Sequence, residues 1–146
     1  MGVLLLEQEK INKRIYTWKE YENDIIRIVD EIKKRKWNLN AVYGIPKGGL
    51  PIAVALANHL NLRLVLDEDN LKYYEQSQML IIDDVSDDGR TLIGIRDICN
   101  MKSITLFVKE GTRFIPDFYC HTCKKDEWIV FLPWEPIDKK EVRDTK

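Results

Sequence analysis

Four aspartates stand close together near the middle of the chain, in Met79-Leu80-Ile81-Ile82-Asp83-Asp84-Val85-Ser86-Asp87-Asp88-Gly89-Arg90-Thr91. Paired acids directly after an apolar run repel one another and resist desolvation, so the pattern carries a cost that calls for a reason. Met79 to Ile82 reads as a short buried parallel strand, and Asp83 and Asp84 stand where it would end. Val85 to Gly89 is too polar to continue it. From Arg90 or Thr91 an amphipathic helix is expected, with Leu92, Ile95, Ile98 and Cys99 on one face. A strand, an acidic loop and a helix start together make the crevice where open α/β sheets bind ligands. Free N–H groups at the helix start attract phosphate. Four carboxylates do not suit a bare phosphate; they suit a phosphorylated sugar, whose diol donates to carboxylates and whose pyrophosphate brings Mg²⁺.

The elements that must position these acids follow from the hydrophobic pattern. Thr17-Trp18-Lys19-Glu20 reads as a capping box. Trp18, Tyr21, Ile25, Ile28, Val29 and Ile32 then recur at helical spacing, and the basic run Lys33 to Lys36 suits the negative helix end. Ala41 to Ile45 is a strand, Leu50 to Asn61 a helix with Pro51 in its first turn, and Leu62 to Leu66 a strand. That is a βαβ unit, which calls for a parallel sheet. Asp67 to Gln78 is a polar connection. Met79 to Ile82, the helix from Thr91 and Ile104 to Val108 form a second unit. Residues 110 to 127 read as loop, and Trp128 to Phe131 as a late strand. Val3 to Leu6 is an edge strand or a packed arm. The fold class is therefore α/β, a central mostly parallel sheet flanked by helices. One domain spans residues 1–136, with a small C-terminal hood from about 110 to 136 and a charged tail over 137–146.

A second Gly-rich strand-to-helix turn, Gly44-Ile45-Pro46-Lys47-Gly48-Gly49, has the features of an anion loop. Adjacent glycines permit positive φ and close approach, successive N–H groups form a nest, and Lys47 adds a charge. Beside the acidic stretch, the reading of this turn as a phosphate loop gains weight.

With these residues in view, Leu80 to Thr91 resembles the phosphoribosyl-pyrophosphate (PRPP) signature of type I phosphoribosyltransferases. Asp88 departs from it, standing where Thr or Ser is usual. The resemblance runs from about Tyr16 to Glu135 and is to the 6-oxopurine branch, the small xanthine-guanine type and its archaeal relatives. It implies transfer of 5-phosphoribosyl from PRPP to hypoxanthine, guanine or xanthine, with release of pyrophosphate. Asp87 would be the catalytic carboxylate facing the purine N7. Asp83, Asp84, Asp88, Gly89, Arg90 and Thr91 would hold the ribose and its 5′-phosphate. Lys47, Gly48 and Gly49 would hold the pyrophosphate. Lys109 would donate to the purine O6, Trp128 would stack on the base and the Ile129 backbone would read its edge. Mg²⁺ would sit near Asp83, Asp84 and Glu135, directly or through water. Glu135 stands where Asp is common, one residue further along.

A carboxylate about 4 Å from a phosphate is repelled by around 4 kcal/mol at a partly exposed site. Asp88 is therefore expected to turn away and cap the following helix, with Arg90 beside it. Asp83 and Asp84 are expected on opposite faces of their strand. The 67–78 connection is shorter than the mobile loop of the family, so a PRPP- or nucleotide-binding regulatory module with little transfer is the alternative.

Composition bounds the rest. The chain has 146 residues, 45% hydrophobic and 32% charged, with net charge −1. That balance gives no drive toward nucleic acid or membrane, and Val3 to Leu6 is too short for a leader or a span. Three cysteines are an odd number for a disulfide framework, so the cytoplasm is expected. Cys120-His121-Thr122-Cys123 has half-site spacing, but a closed zinc site needs four ligands. Only Cys99 and His59 remain, far off in sequence, and the motif reads as a surface turn. The resemblance also implies a homodimer or homotetramer.

Overall fold

The computed structural model describes residues 12–98 and 100–137; Val3 to Leu6 and the tail beyond 137 lie outside them. Five parallel strands form the central sheet in the order β3-β2-β4-β5-β6. They are β2 (Ala41–Gly44), β3 (Arg63–Val65), β4 (Met79–Ser86), β5 (Lys102–Lys109) and β6 (Phe118–Cys123). A separate two-stranded sheet pairs β1 (Asn12–Tyr16) with β7 (Glu127–Phe131), also in parallel. Three α-helices join the strands: α1 (Trp18–Arg35), α2 (Gly49–Leu60) and α3 (Arg90–Ile98).

Helix α1 begins where the capping box places it. The Glu20 N–H donates to Thr17 Oγ1 at 3.2 Å, and the Thr17 N–H donates to Glu20 Oε1 at 3.2 Å. It ends at Lys36 in the left-handed region, with Lys33, Lys34 and Arg35 in the last turn, where cations offset the carbonyl dipoles. Its buried face is Asp24, Ile25, Ile28, Val29 and Ile32. Trp18, read as part of that face, is instead exposed.

Both faces of the sheet are covered, which is why its strands are apolar on both sides. On one face, α1, α2 and the small sheet close over Val42, Leu80, Ile82, Ile104 and Leu106. On the other, Leu92 and Ile95 of α3 join Leu71, Met101 and Phe114 over Ala41, Tyr43 and Ile81. Each fully buried Leu or Ile contributes about 1.5–3 kcal/mol over an exposed one. Ile28, Ile52, Leu56, Leu80 and Ile104 all reach that limit. No helix among the described residues is long and apolar enough to cross a membrane.

Two stretches differ from the sequence expectation. Residues 110–127 contain β6, which extends the main sheet beside β5. The Cys120-His121-Thr122-Cys123 motif is therefore strand, not a surface turn, and both thiols are buried. The hood strand β7 pairs with β1 at the other end of the sequence, so the hood is built from both ends of the described chain.

A buried carboxylate ties the small sheet to the body. Asp24 Oδ2 accepts from the Tyr16 hydroxyl at 2.6 Å and lies 2.8 Å from His121 Nε2. Burial, reinforced by Asp24, drives the Tyr16 phenol far above its usual range, so it stays a donor. Burial and then Asp24 push the Cys120 thiol up to about 12.

Candidate functional site at the ends of β4 and β5

Strand β4 runs further than its apolar core, to Ser86, because β5 continues beside it. Asp83 pairs with Thr105, Val85 with Phe107 and Ser86 with Val108. The acids are thus held in strand geometry rather than in a loose loop. Each accepts from the next backbone N–H: Asp84 N to Asp83 Oδ1 at 2.8 Å, and Val85 N to Asp84 Oδ1 at 2.7 Å. The two side chains also hydrogen-bond to each other, although strand neighbours were expected on opposite faces. Burial, then the adjacent Asp84 charge and this hydrogen bond, push Asp83 up to about 9; the Asp84 backbone N–H pulls weakly the other way. A desolvated like-charge pair of this kind is relieved by a proton or by a cation.

The loop before α2 lies directly against these acids. Ile45 N–H donates to Ile82 O at 2.8 Å, which fixes the loop to β4. A Cβ on Gly48 would collide with the Asp84 carboxylate. The glycine is needed for that approach and not for positive φ, since Gly48 is right-handed helical at φ −63. The Pro46–Lys47 peptide is cis. Lys47 is exposed at the loop tip.

After Ser86 the chain turns into α3. Asp88 accepts from the Arg90 N–H through Oδ1 at 3.0 Å, and its Oδ2 lies 3.3 Å from Arg90 Nε. Its carboxylate is therefore spent on the helix start and on Arg90. Gly89 has φ +88, which a side chain would strain, and a Cβ there would also meet Phe114 N at 2.7 Å. Ser86 Oγ donates to Phe114 O at 2.7 Å and lies 3.0 Å from Thr112 Oγ1. The segment after β5 thus braces the acidic loop from behind, a role the sequence did not single out. Asp83, Ser86, Asp87, Asp88, Gly89 and Thr91 line a small cavity of about 60 Å³, so Asp88, expected to turn away, still borders it. Its size suits a compact anion at the α3 start.

Lys109 ends β5 with its side chain 14% exposed, and Nζ stands 3.7 Å from Asp87 Oδ1. Lys109 also lines a cavity of about 570 Å³ with Thr112, Ile115, Tyr119 and Cys123, although Trp128 and Ile129 do not line it. Those two belong to β7, opposite Lys13 and Arg14 of β1. Ile129 is buried in the main core and Trp128 is half-buried. Trp134 stacks on Phe131 at 5.0 Å, and the Phe131 N–H donates to Glu135 Oε1 at 3.0 Å. Glu135 is thus used in the turn that ends the hood. Among the described residues no three His, Cys, Asp or Glu side chains form a metal cluster, so Glu135 does not join Asp83 and Asp84 in one direct ligand set. A hard cation at the acid pair would take its remaining oxygens from a ligand, as Mg²⁺ commonly does.

No family model matches the chain. Individual relatives do. Xanthine-guanine phosphoribosyltransferase of Chromohalobacter salexigens is 26% identical over 136 residues, 82% of this chain and 82% of that protein. Among solved structures, purine phosphoribosyltransferase of Pyrococcus horikoshii superposes with TM-score 0.69 at 25% identity, covering 86% of this chain and 95% of that one. The Helicobacter pylori xanthine-guanine-hypoxanthine enzyme gives 0.71 at 16% identity, over 91% and 98%. The fold is that of the type I phosphoribosyltransferases to which the chain is similar. In sequence the chain is similar to xanthine-guanine phosphoribosyltransferases, the 6-oxopurine branch that the signature over Leu80 to Thr91 led us to expect.

Proposed function

We propose that the protein transfers 5-phosphoribosyl from PRPP to a 6-oxopurine and releases pyrophosphate. The observation that carries this reading is the convergence of two Gly-rich turns on one pair of carboxylates, with Gly48 against Asp84 and Gly89 opening α3. One turn suits each phosphorylated end of PRPP, and the acids between them suit its diol.

In this reading Asp83 and Asp84 accept from the ribose hydroxyls. Gly89 and Thr91 present N–H groups to the 5′-phosphate at the α3 start, while the Arg90 N–H is held by Asp88, which acts through the turn. Lys47, Gly48 and Gly49 hold the leaving pyrophosphate. Lys109 donates to O6, Trp128 covers the ring face and the Ile129 backbone meets the base edge. The bond from C1′ to pyrophosphate breaks as the in-plane lone pair on N9 of the N7-protonated purine forms the bond to C1′, and the proton leaves from N7. Asp87 stabilises the positive charge that develops on sugar and base, or takes the proton. The acid pair fits Mg²⁺, since Asp83 is held neutral only by desolvation and its neighbour. When bound, the ion would neutralise pyrophosphate charge as the leaving bond lengthens. We place the protein in the cytoplasm, where free thiols such as Cys120 and Cys123 persist, as a homodimer or homotetramer.

Incubation with PRPP, Mg²⁺ and each of hypoxanthine, guanine and xanthine tests the reading. Nucleoside monophosphate and pyrophosphate should appear in equal amounts with at least one base. A second reading, a nucleotide-binding regulatory module, draws on the 67–78 connection. Two short 3-10 helices, Glu68–Tyr73 and Gln76–Gln78, occupy it, and Leu71 is buried in the core rather than free to close over a ligand. Tight nucleotide binding in calorimetry without product would favour that reading.

A further inference from the structure

Arg14 is a cation that neither the signature nor the loop motifs include. It lies on β1, directly opposite Ile129 of β7, the residue whose backbone is proposed to meet the base edge. Its side chain is 35% exposed, and its guanidinium carbon sits 4.8 Å from the centre of the Phe107 ring. Phe107 lies two residues before Lys109 on β5, on the same side of the strand. Arg14 therefore emerges between the hood and the strand that carries the proposed O6 donor. Cys123, which pairs with Lys109 across β5 and β6, feels the charges of Lys109, Arg14, Glu127 and Asp87 together. Among the described residues the guanidinium makes no hydrogen bond, and its ion pair with Glu20 is long at 3.8 Å. Glu127, the acid nearest this group on β7, accepts from the Lys124 N–H at 2.7 Å.

We propose that Arg14 is a specificity-determining residue that favours a purine with a second oxygen, at the 2-position, over one with a 2-amino group or hydrogen. The inference rests on the transferase reading of the same site. Guanidinium carries only donors, in a planar fork. A 2-oxo group is an acceptor and satisfies it, and a base that has lost a ring proton adds charge attraction. A 2-amino group presents donor to donor and leaves both unpaired. A 2-hydrogen is indifferent. With O6 on Lys109 and N7 toward Asp87, the remaining polar edge of the ring is turned to β7 and to the strand paired with it, where Arg14 stands.

The test compares kcat/KM for xanthine, hypoxanthine and guanine in the natural protein, Arg14→Gln and Arg14→Lys. In Arg14→Gln, kcat/KM for xanthine should fall about tenfold or more while that for hypoxanthine moves less than about threefold. Arg14→Lys, which keeps charge and loses the fork, should fall between them. KM for PRPP should be unchanged. Equal losses with all bases would overturn the inference, as would a natural protein that prefers guanine to xanthine, a result that needs no variant. Turnover of hypoxanthine without an Arg14-dependent preference removes this inference alone. Turnover of no base removes the transferase reading, and this with it.

Discussion

Lys109 Nζ stands 3.7 Å from Asp87 Oδ1, a largely sheltered cation facing a carboxylate whose side chain is 72% exposed. One group is proposed to read O6 and the other to face N7, so they meet the same edge of a purine and hold each other at that spacing. Because Asp87 is so open, the pair itself adds little to stability. Replacing Asp87 should therefore tell on chemistry and not on folding. In Asp87→Asn, kcat should drop about 10²–10⁴-fold, the range of a lost acid–base group, while PRPP affinity stays within about threefold. Steady-state kinetics with PRPP binding by calorimetry reads both. Equal losses in the two would mean that Asp87 serves PRPP and not the base.

Asp83 makes a prediction about pH. Its carboxyl rises from an ordinary 3.8 to about 9, chiefly by burial and then by Asp84. The folded protein thus holds a proton there that the unfolded chain gives up. The resulting stability is complete below the ordinary carboxylate range and is lost progressively as pH rises toward about 9. A cation competes with that proton, so protection by Mg²⁺ with PRPP should grow over the same interval. Thermal unfolding between pH 5 and pH 9, about two units either side of neutrality, checks both trends. Asp83→Asn should flatten each; a slope that survives the substitution would assign the proton to another group.

Asp88 departs from the signature, and its geometry explains how the departure is tolerated. Bonded to the Arg90 N–H and beside Arg90 Nε, it acts as the first turn's acceptor and borders the small cavity as a compensated charge, not an isolated one. Asp88→Thr keeps a capping oxygen and removes a charge. PRPP affinity should be unchanged or better, and stability should shift by less than about 1 kcal/mol. Asp88→Ala should lose about that much. A weakening of PRPP binding beyond about tenfold in Asp88→Thr would reveal a direct role for the carboxylate.

What the sequence made legible was the part encoded in consecutive residues. The acids, Gly89 and Thr91 are local, so their order along one strand and one helix start was enough to place them. The capping box at Thr17 was legible for the same reason. Strand β6 was not: its burial pattern runs half-buried, exposed, buried, then repeats, a period of three that hides the strand alternation. Nor was β1, whose Asn-Lys-Arg-Ile-Tyr carries one fully buried residue and depends on β7 for its pairing. Strand β4 outruns its apolar core because Thr105 and Phe107 of β5 hydrogen-bond alongside it, which no local pattern reports. Asp24 with His121, and Arg14 above Phe107, join residues remote in sequence; their types alone gave no signal.

The Asp24 junction yields the last prediction. One buried oxygen serves Tyr16 of β1 and His121 of β6, and Tyr16 is in register with Phe131 of β7. The carboxylate therefore fixes the strand pair that carries Trp128 and Ile129 relative to the sheet that carries Lys109. Removing one donor leaves a buried acceptor short of a partner, which costs about 1–3 kcal/mol. Tyr16→Phe should accordingly lower the unfolding free energy by that amount and raise KM for the base. KM for PRPP should hold, because the acids and both Gly-rich turns are anchored to β2 and β4, away from this junction. If instead both KM values rise together, the small sheet is not an independent carrier of the base contacts. Denaturant unfolding alongside two-substrate kinetics separates these outcomes.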